Sequence, residues 1–331
     1  MQAIVFDDFG GPEVLVAREV ASPAARPDDL LVRNASIGVN RADISHRKGA
    51  YGRAYFGDSD IMGLEIAGTV VEVGSQVRGF AVGDRVMGIV GGGAYAELSR
   101  IDHRMAMHVP AGLSLHDAGA VAEVFVTAHE ALFHLARLQA GESVLIHAAA
   151  GGVGSAAVQL AHAAGARVFA TTGGDKREAV RGFGADEVID YRSEDFHAVV
   201  AGKTDGQGAD VVIDFIGAPY LERNVRSLAV GGRMVVVGLL GGAQGAALPI
   251  DLLLYRHLQI FGTVMKSRPP EVKQAMVQRF AQRWLGALGS GAIRPVIDST
   301  YPLADAAAAH RRMETGESVG KILLQPAPAA A

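Results

Sequence analysis

His147-Ala148-Ala149-Ala150-Gly151-Gly152-Val153-Gly154 follows an apolar stretch at 143–149 and opens an Ala-rich one at 154–164. Strand, glycine turn and helix in that order form the setting in which this type of motif holds a dinucleotide. The pattern reads A-x-G-x-x-G, with Ala149 in the place of the usual first glycine. Gly151 lets the backbone approach a pyrophosphate, and Gly154 lets the helix pack close to the strand. The helix start, with Ala150, Gly152 and Val153 around it, offers N–H groups to an anion. A ligand-free tight turn would use the same glycines, so the reading depends on what surrounds the motif.

From about residue 120 onward, apolar strands alternate with helices. Strands are expected at 143–149, 167–172, 187–191, 209–216, 233–237 and 259–264, and helices at 154–164, 175–183, 193–201, 221–229 and 252–257. Continuous apolar strands separated by helices imply a parallel sheet covered on both faces. Six of them fit the doubly wound dinucleotide fold. Before residue 120 the chain is rich in short strands and turns, as at 30–37, 65–74 and 83–88, which suggests a small barrel or sandwich. After residue 264 come a helix (271–287), a strand (295–299), a helix (303–313) and a strand (321–324). These are too few for a domain of their own, so they are expected to return to the first one. The expected division is 1–122 plus 265–331, and 123–264.

The chain has 331 residues, 49% hydrophobic and 20% charged, with a net charge of −4. That is enough apolar material for two cores and excludes a disordered polymer. The weak acidity gives no field for holding phosphate backbones, so nucleic acid is not an expected partner. The absence of cysteine excludes disulfides and thiolate zinc sites and is compatible with a cytoplasmic home. The opening residues lack the features of a signal peptide, and no stretch reaches the apolar length of a membrane span.

A carboxylate about 20 residues past the glycine loop would bind the ribose hydroxyls of NAD. Here the strand ends Thr172-Gly173-Gly174, with no acid at its tip. That leaves room for a 2′-phosphate, with Lys176 as counter-charge and Tyr191 ending the next strand, and favours NADPH. Asp175 has a simpler reading as a helix cap.

Five segments, Gly38–Asp43, Gly63–Gly68, Gly83–Val86, the glycine loop and Gly320-Lys321-Ile322, stand in an order and spacing that resembles the zinc-free quinone oxidoreductase branch of the medium-chain dehydrogenase/reductase family. The resemblance covers nearly the whole chain. It implies a GroES-like β-barrel domain beside a doubly wound Rossmann domain with a six-stranded parallel sheet, and a homodimer pairing the edge strands at 259–264. Zinc members carry Cys where Asn40 stands and His where Leu64 stands, so the resemblance implies no metal site. It places Asn40 and Tyr51 at the nicotinamide end as catalytic contacts. Further cofactor contacts are implied at Thr127, Gly152, Val153, Ile216, Gly217, Val237, Gly238 and Leu239, with Lys321 closing over the cofactor. Relatives with a second Tyr have Ser45 here, which leaves the substrate contacts open.

The eleven histidines show no metal-binding spacing, and His147 reads as a packed core residue. No serine stands in a nucleophile elbow. The expected function is an NADPH-dependent, zinc-independent quinone reductase. The alternatives are an enoyl or α,β-unsaturated ketone reductase on the same scaffold, or a nucleotide-binding protein with vestigial activity.

Overall fold

The computed structural model describes residues 1–50 and 59–327. It divides into two units, 1–126 with 269–331, and 127–268. The divisions expected after 122 and 264 lie a few residues earlier; the first falls at the start of a continuous helix, Ala122–His129.

The first unit begins with β1 (Gln2–Val5) paired to β2 (Val16–Glu19). Then follow β3 (Asp29–Val39), helix α1 (Arg41–Arg47), β4 (Glu65–Val73), β5 (Arg85–Ile89), β6 (Leu98–Asp102), β7 (Ala106–His108) and helices α2 (Leu115–Ala118) and α3 (Ala122–His129). Inward-facing Val32, Ile37, Ile66, Val70 and Val86 are buried in one core, as alternating strands require. The β3–β4 pair shifts register at Leu31/Val32 and again at Asn34/Ser36. Such irregularities bend a strand and raise its twist, which curves the sheet around the core.

In the second unit the chain alternates β8 (Ser143–Ile146), α4 (Gly152–Ala163), β9 (Arg167–Thr172), α5 (Arg177–Gly182), β10 (Glu187–Asp190), α6 (Phe196–Lys203), β11 (Ala209–Asp214), α7 (Leu221–Ser227), β12 (Leu228–Val236), α8 (Ile250–Tyr255) and β13 (Gln259–Gly262). The strands form one parallel sheet in the order β10-β9-β8-β11-β12-β13. Val144, Leu145, Ile146, Val168, Phe169, Val211, Val212 and Ile213 are all fully buried, as expected for strands covered on both faces. The order reverses between β8 and β11. Open α/β sheets bind ligands at that switch point, outside the carboxyl ends of the strands.

The last elements, α9 (Pro270–Ser290), β14 (Ile297–Pro302), α10 (Ala306–Glu314) and β15 (Lys321–Gln325), return to the first unit. β15 runs antiparallel to β3, with Ile322 opposite Val39, which sets Lys321 beside Asn40. Several expected ends move. The helix expected at 193–201 starts at Phe196 because Asp195 caps it, accepting from the His197 N–H at 3.2 Å. The helix expected at 221–229 stops at Ser227, since Leu228 already pairs with Ala209 in the sheet. The helix expected from 303 begins as a 3₁₀ turn, Leu303–Asp305.

Candidate nucleotide and substrate site

The glycine loop makes its left-handed turn at Ala148 (φ 47°), one residue before the position where a first glycine is usual. The Gly151 N–H closes the turn on Ala148 O at 2.9 Å. Gly151 then serves as the N-cap of α4, and being glycine it brings no side chain to occupy the helix start. The first-turn N–H groups of Gly152 and Val153 have no intrahelical acceptor, so they suit an anion. Ala149 and Ala150 are buried, while Gly151, Gly152 and Val153 form the half-exposed lip. A Cβ on Gly154 would collide with Ala148 O and lie 2.8 Å from Ala149 Cα. Only glycine lets α4 run this close to the loop that feeds it.

Four other predicted groups stand at the same carboxyl edge. Gly173 caps a 3₁₀ turn, Gly174–Lys176, after β9. Tyr191 follows β10 and is exposed. Ile216 and Gly217 follow β11, and Gly217 (φ 87°) lies too close to Gly242 O and Leu239 for any side chain. Val237, Gly238 and Leu239 follow β12, tied back by the Val237 N–H to Asp214 O at 2.7 Å. Asp175 does not cap α5. Its carboxylate pairs instead with Arg192 at 3.3 Å, and the Arg192 guanidinium lies 5.8 Å from the centre of the Tyr191 ring. A Cβ on Gly173 would stand 3.2 Å from that guanidinium carbon. Arg192 is the cation that sequence reasoning passed over. Its signal was its place directly after Tyr191, at the end of the next strand.

Beneath this edge runs a buried polar chain. Thr171 at the end of β9 donates its hydroxyl to His147 Nδ1 at 2.9 Å, and His147 Nε2 donates to Asn224 Oδ1 at 2.7 Å. Asp214 accepts from the N–H groups of Ile216 (2.8 Å) and Gly217 (3.1 Å). Burial pushes the Asp214 carboxyl up to about 6, against the N–H groups of Ile216 and Gly217 and the Asn224 amide. Burial likewise depresses His147 to about 4, the Asn224 hydrogen bond opposing it, and His310 to about 3. Both imidazoles are therefore neutral in the fold. Their favourable contribution is present above the ordinary value of 6.5 and is lost as pH falls toward 4 and 3. In histidine NMR, the His147 and His310 resonances will not titrate between about pH 5 and 8, the range in which an unperturbed imidazole changes charge.

In the first unit, Asn40 precedes α1 and is buried. Its Nδ2 donates to Glu65 Oε1 at 3.0 Å and to Gly38 O at 3.2 Å, and its Oδ1 accepts from Lys321 Nζ at 2.7 Å. The Lys321 ammonium also donates to Val39 O at 2.9 Å and to the Glu65 carboxylate. All three of its N–H bonds are thereby engaged inside the unit, where Lys321 orients Asn40 and Glu65. The Asn40 N–H donates to Asp43 at 2.8 Å, and Asp43 also accepts from Tyr95 OH at 3.2 Å. Leu64 offers no donor atom and the Asn40 oxygen faces an ammonium, so these residues do not fit a zinc ion. Thr127 is half-exposed in α3. Tyr51 lies outside the described residues.

Two family models match the chain: Alcohol dehydrogenase GroES-like domain over residues 26–137 and Zinc-binding dehydrogenase over residues 152–282. The quinone oxidoreductase of Rattus norvegicus is 34% identical over 333 residues, covering 98% of this chain and 97% of the relative. The erythronolide synthase EryA2 of Saccharopolyspora erythraea is 38% identical over 320 residues, covering 94% of this chain, which spans 8% of that much longer protein. Among solved structures, the Escherichia coli quinone oxidoreductase complexed with NADPH superposes with a TM-score of 0.89 at 31% identity, covering 98% of this chain and 100% of that one. The CurK enoyl reductase superposes with a TM-score of 0.85 at 25% identity, covering 98% of this chain and 99% of that one. With two family models matched and a quinone oxidoreductase aligned over 97% of its length, the chain belongs to the quinone oxidoreductase branch of the medium-chain dehydrogenase/reductase family.

Proposed function

We propose that this chain is an NADPH-dependent, zinc-independent reductase that passes a hydride to a quinone. The observation that carries the reading is the glycine loop, where Gly154 packs under Ala148 and the α4 start is left open to an anion. The likeness to the NADPH-complexed quinone oxidoreductase supports it. When bound, the coenzyme supplies two electrons and a proton as hydride. Gly151, Gly152, Val153 and Gly154, with Ala150 behind them, hold its pyrophosphate through backbone N–H groups. Gly173, Gly174, Lys176, Tyr191 and Arg192 border its 2′-phosphate, the two cations supplying charge-assisted hydrogen bonds. Ile216, Gly217, Val237, Gly238 and Leu239 flank the rest, and Thr127 contributes its hydroxyl. Asn40 and Tyr51 are assigned to the nicotinamide and the substrate carbonyl; the Asn40 oxygen keeps one lone pair beyond its bond to Lys321. Catalysis then comes from positioning and electrostatics rather than a metal.

The chain is expected to consume NADPH with simple quinones, and failure with every quinone and conjugated enone overturns the reading. The CurK likeness favours a second substrate class, enoyl thioesters, which a panel of quinones against enoyl-CoAs separates. A vestigial binder would show coenzyme binding by fluorescence without turnover. The edge strand β13 with exposed Ile250, Leu254, Tyr255 and Val264 nearby supports a homodimer. Arg192→Ala is expected to raise the Kd for NADPH about tenfold, roughly one charge-assisted hydrogen bond, and to leave NADH nearly unchanged. Lys176→Ala shifts it in the same direction. Titration of both coenzymes against each variant checks this, and equal losses for the two would remove the 2′-phosphate role.

A further inference from the structure

Arg47, at the end of α1, is fully buried. Its Nε donates to Gly10 O at 3.1 Å, one terminal nitrogen to Glu314 at 2.8 Å, and the other lies 3.2 Å from His310 Nδ1. His310 and Glu314 stand one turn apart on α10. A guanidinium can only donate, so His310 Nδ1 must accept. A proton on that nitrogen would face an Arg47 N–H, so the imidazole is neutral and carries its proton on Nε2. Nε2 lies 2.9 Å from Tyr95 Oη and donates to it. The Tyr95 hydroxyl donates onward to Asp43 Oδ2 at 3.2 Å, and the same oxygen accepts the Asn40 N–H at 2.8 Å. From Arg47 through His310 and Tyr95 every donor points the same way, and the chain ends under Asn40.

Arg47, His310, Tyr95 and Asp43 are all fully buried, so water does not compete for these bonds. Burying four polar groups in line is costly unless each is paired, and packing alone would be served better by apolar residues. The Tyr95 ring is fixed before it reaches Asp43. Its backbone N–H donates to Met62 O at 2.9 Å, and its carbonyl accepts from the Ile4 N–H at 2.8 Å. A Cβ on Gly63 (φ 97°) would overlap the ring, so glycine there opens the slot that the tyrosine fills. Among the described residues, Asp43 Oδ1 has no hydrogen-bond partner. The carboxyl group is therefore held by Oδ2 alone, through the Asn40 N–H and the Tyr95 hydroxyl. Without that hydroxyl, the residue it is meant to hold would be its only anchor.

We propose that Tyr95 and His310 are positioning residues of the reduction, which act through Asp43 to fix the backbone of Asn40. The proposal rests on the reductase reading above, in which Asn40 meets the nicotinamide and the substrate carbonyl. Lys321 and Glu65 hold the Asn40 side chain from one side. The donor chain holds its main chain from the other, and so sets the point from which the amide projects. Neither Tyr95 nor His310 touches the reacting atoms. Their contribution is geometric: an amide that must meet a reacting carbonyl loses effect when its attachment point drifts.

The first test needs neither coenzyme nor turnover. Nitrogen NMR of the free protein should show His310 protonated on Nε2 and bare on Nδ1; the opposite tautomer breaks the chain. In Tyr95→Phe, which keeps the ring, the Asn40 amide resonance should shift and its hydrogen exchange should speed up. In turnover, Tyr95→Phe should lower kcat about tenfold, inside the roughly 10²-fold that an ångström of misplacement costs. His310→Gln, whose amide both accepts and donates, should keep more activity than His310→Leu. The deciding measurement repeats Tyr95→Phe in an Asn40→Ala background. With no Asn40 amide left to place, the hydroxyl should have no further effect on kcat. An equal loss in both backgrounds means that Tyr95 only supports the fold, and the proposal is then wrong. It is equally wrong if the Asn40 amide is unchanged in Tyr95→Phe. A wild type inactive on every quinone and enone overturns the reductase reading and the positioning role with it, whereas an active wild type with an unaffected variant overturns the role of Tyr95 and His310 alone.

Discussion

Lys321→Met will destabilise the protein by about 3–5 kcal/mol, the usual cost of leaving one member of a buried ion pair without its partner. The ammonium is 3% exposed and Glu65 is fully buried. Methionine fills similar space but removes three hydrogen bonds, those to Val39 O, Asn40 Oδ1 and Glu65. Glu65 would keep only the Asn40 amide and the Glu123 N–H. Urea unfolding of the single variant and of Lys321→Met combined with Glu65→Gln separates charge from packing. The double variant should recover the larger part of the loss, because a neutral amide does not need the cation. If both variants lose the same stability, packing rather than charge holds this site. The surviving fold should still bind coenzyme, since the glycine loop belongs to the other unit.

The second large effect is expected at Gly154. Gly154→Val places side-chain atoms against Ala148 O and Ala149 Cα, both backbone atoms of a loop that cannot step aside without reopening the turn. The coenzyme Kd should rise by at least about 100-fold, a loss of roughly 3 kcal/mol. Gly202→Ala, in α6 and away from the loop, is the control. Its Cβ would meet no atom within 4 Å, and its backbone lies outside the left-handed region. Fluorescence titration of the two variants, with circular dichroism to show that α4 persists, checks the difference. Equal binding by Gly154→Val and wild type would mean that the loop does not cradle a pyrophosphate.

The sequence made the second unit legible because its strands are buried on both faces and so read as unbroken apolar runs between helices. The glycine loop was legible for the same reason, since strand, turn and helix are local neighbours. Helix ends were less so. They depend on caps such as Asp195, and on pairings such as Leu228 with Ala209 that become visible only when the sheet is assembled. Arg192 was passed over because it and Asp175, 17 residues apart, meet only when β9 and β10 lie side by side. The hydrogen-bond partners of Lys321 were hidden for a similar reason. Its partners lie 256 and 281 positions away in the chain, and β15 must first dock on β3.

Ala148 holds a backbone conformation that costs a non-glycine residue about 1 kcal/mol. Glycine there would relieve the strain, yet it would also let the lip sample many shapes before any ligand arrived. The methyl group therefore exchanges a little global stability for a mouth already set in its binding shape. Less entropy remains to be lost at the moment of capture, and the coenzyme meets a receptor that has no need to reorganise around it.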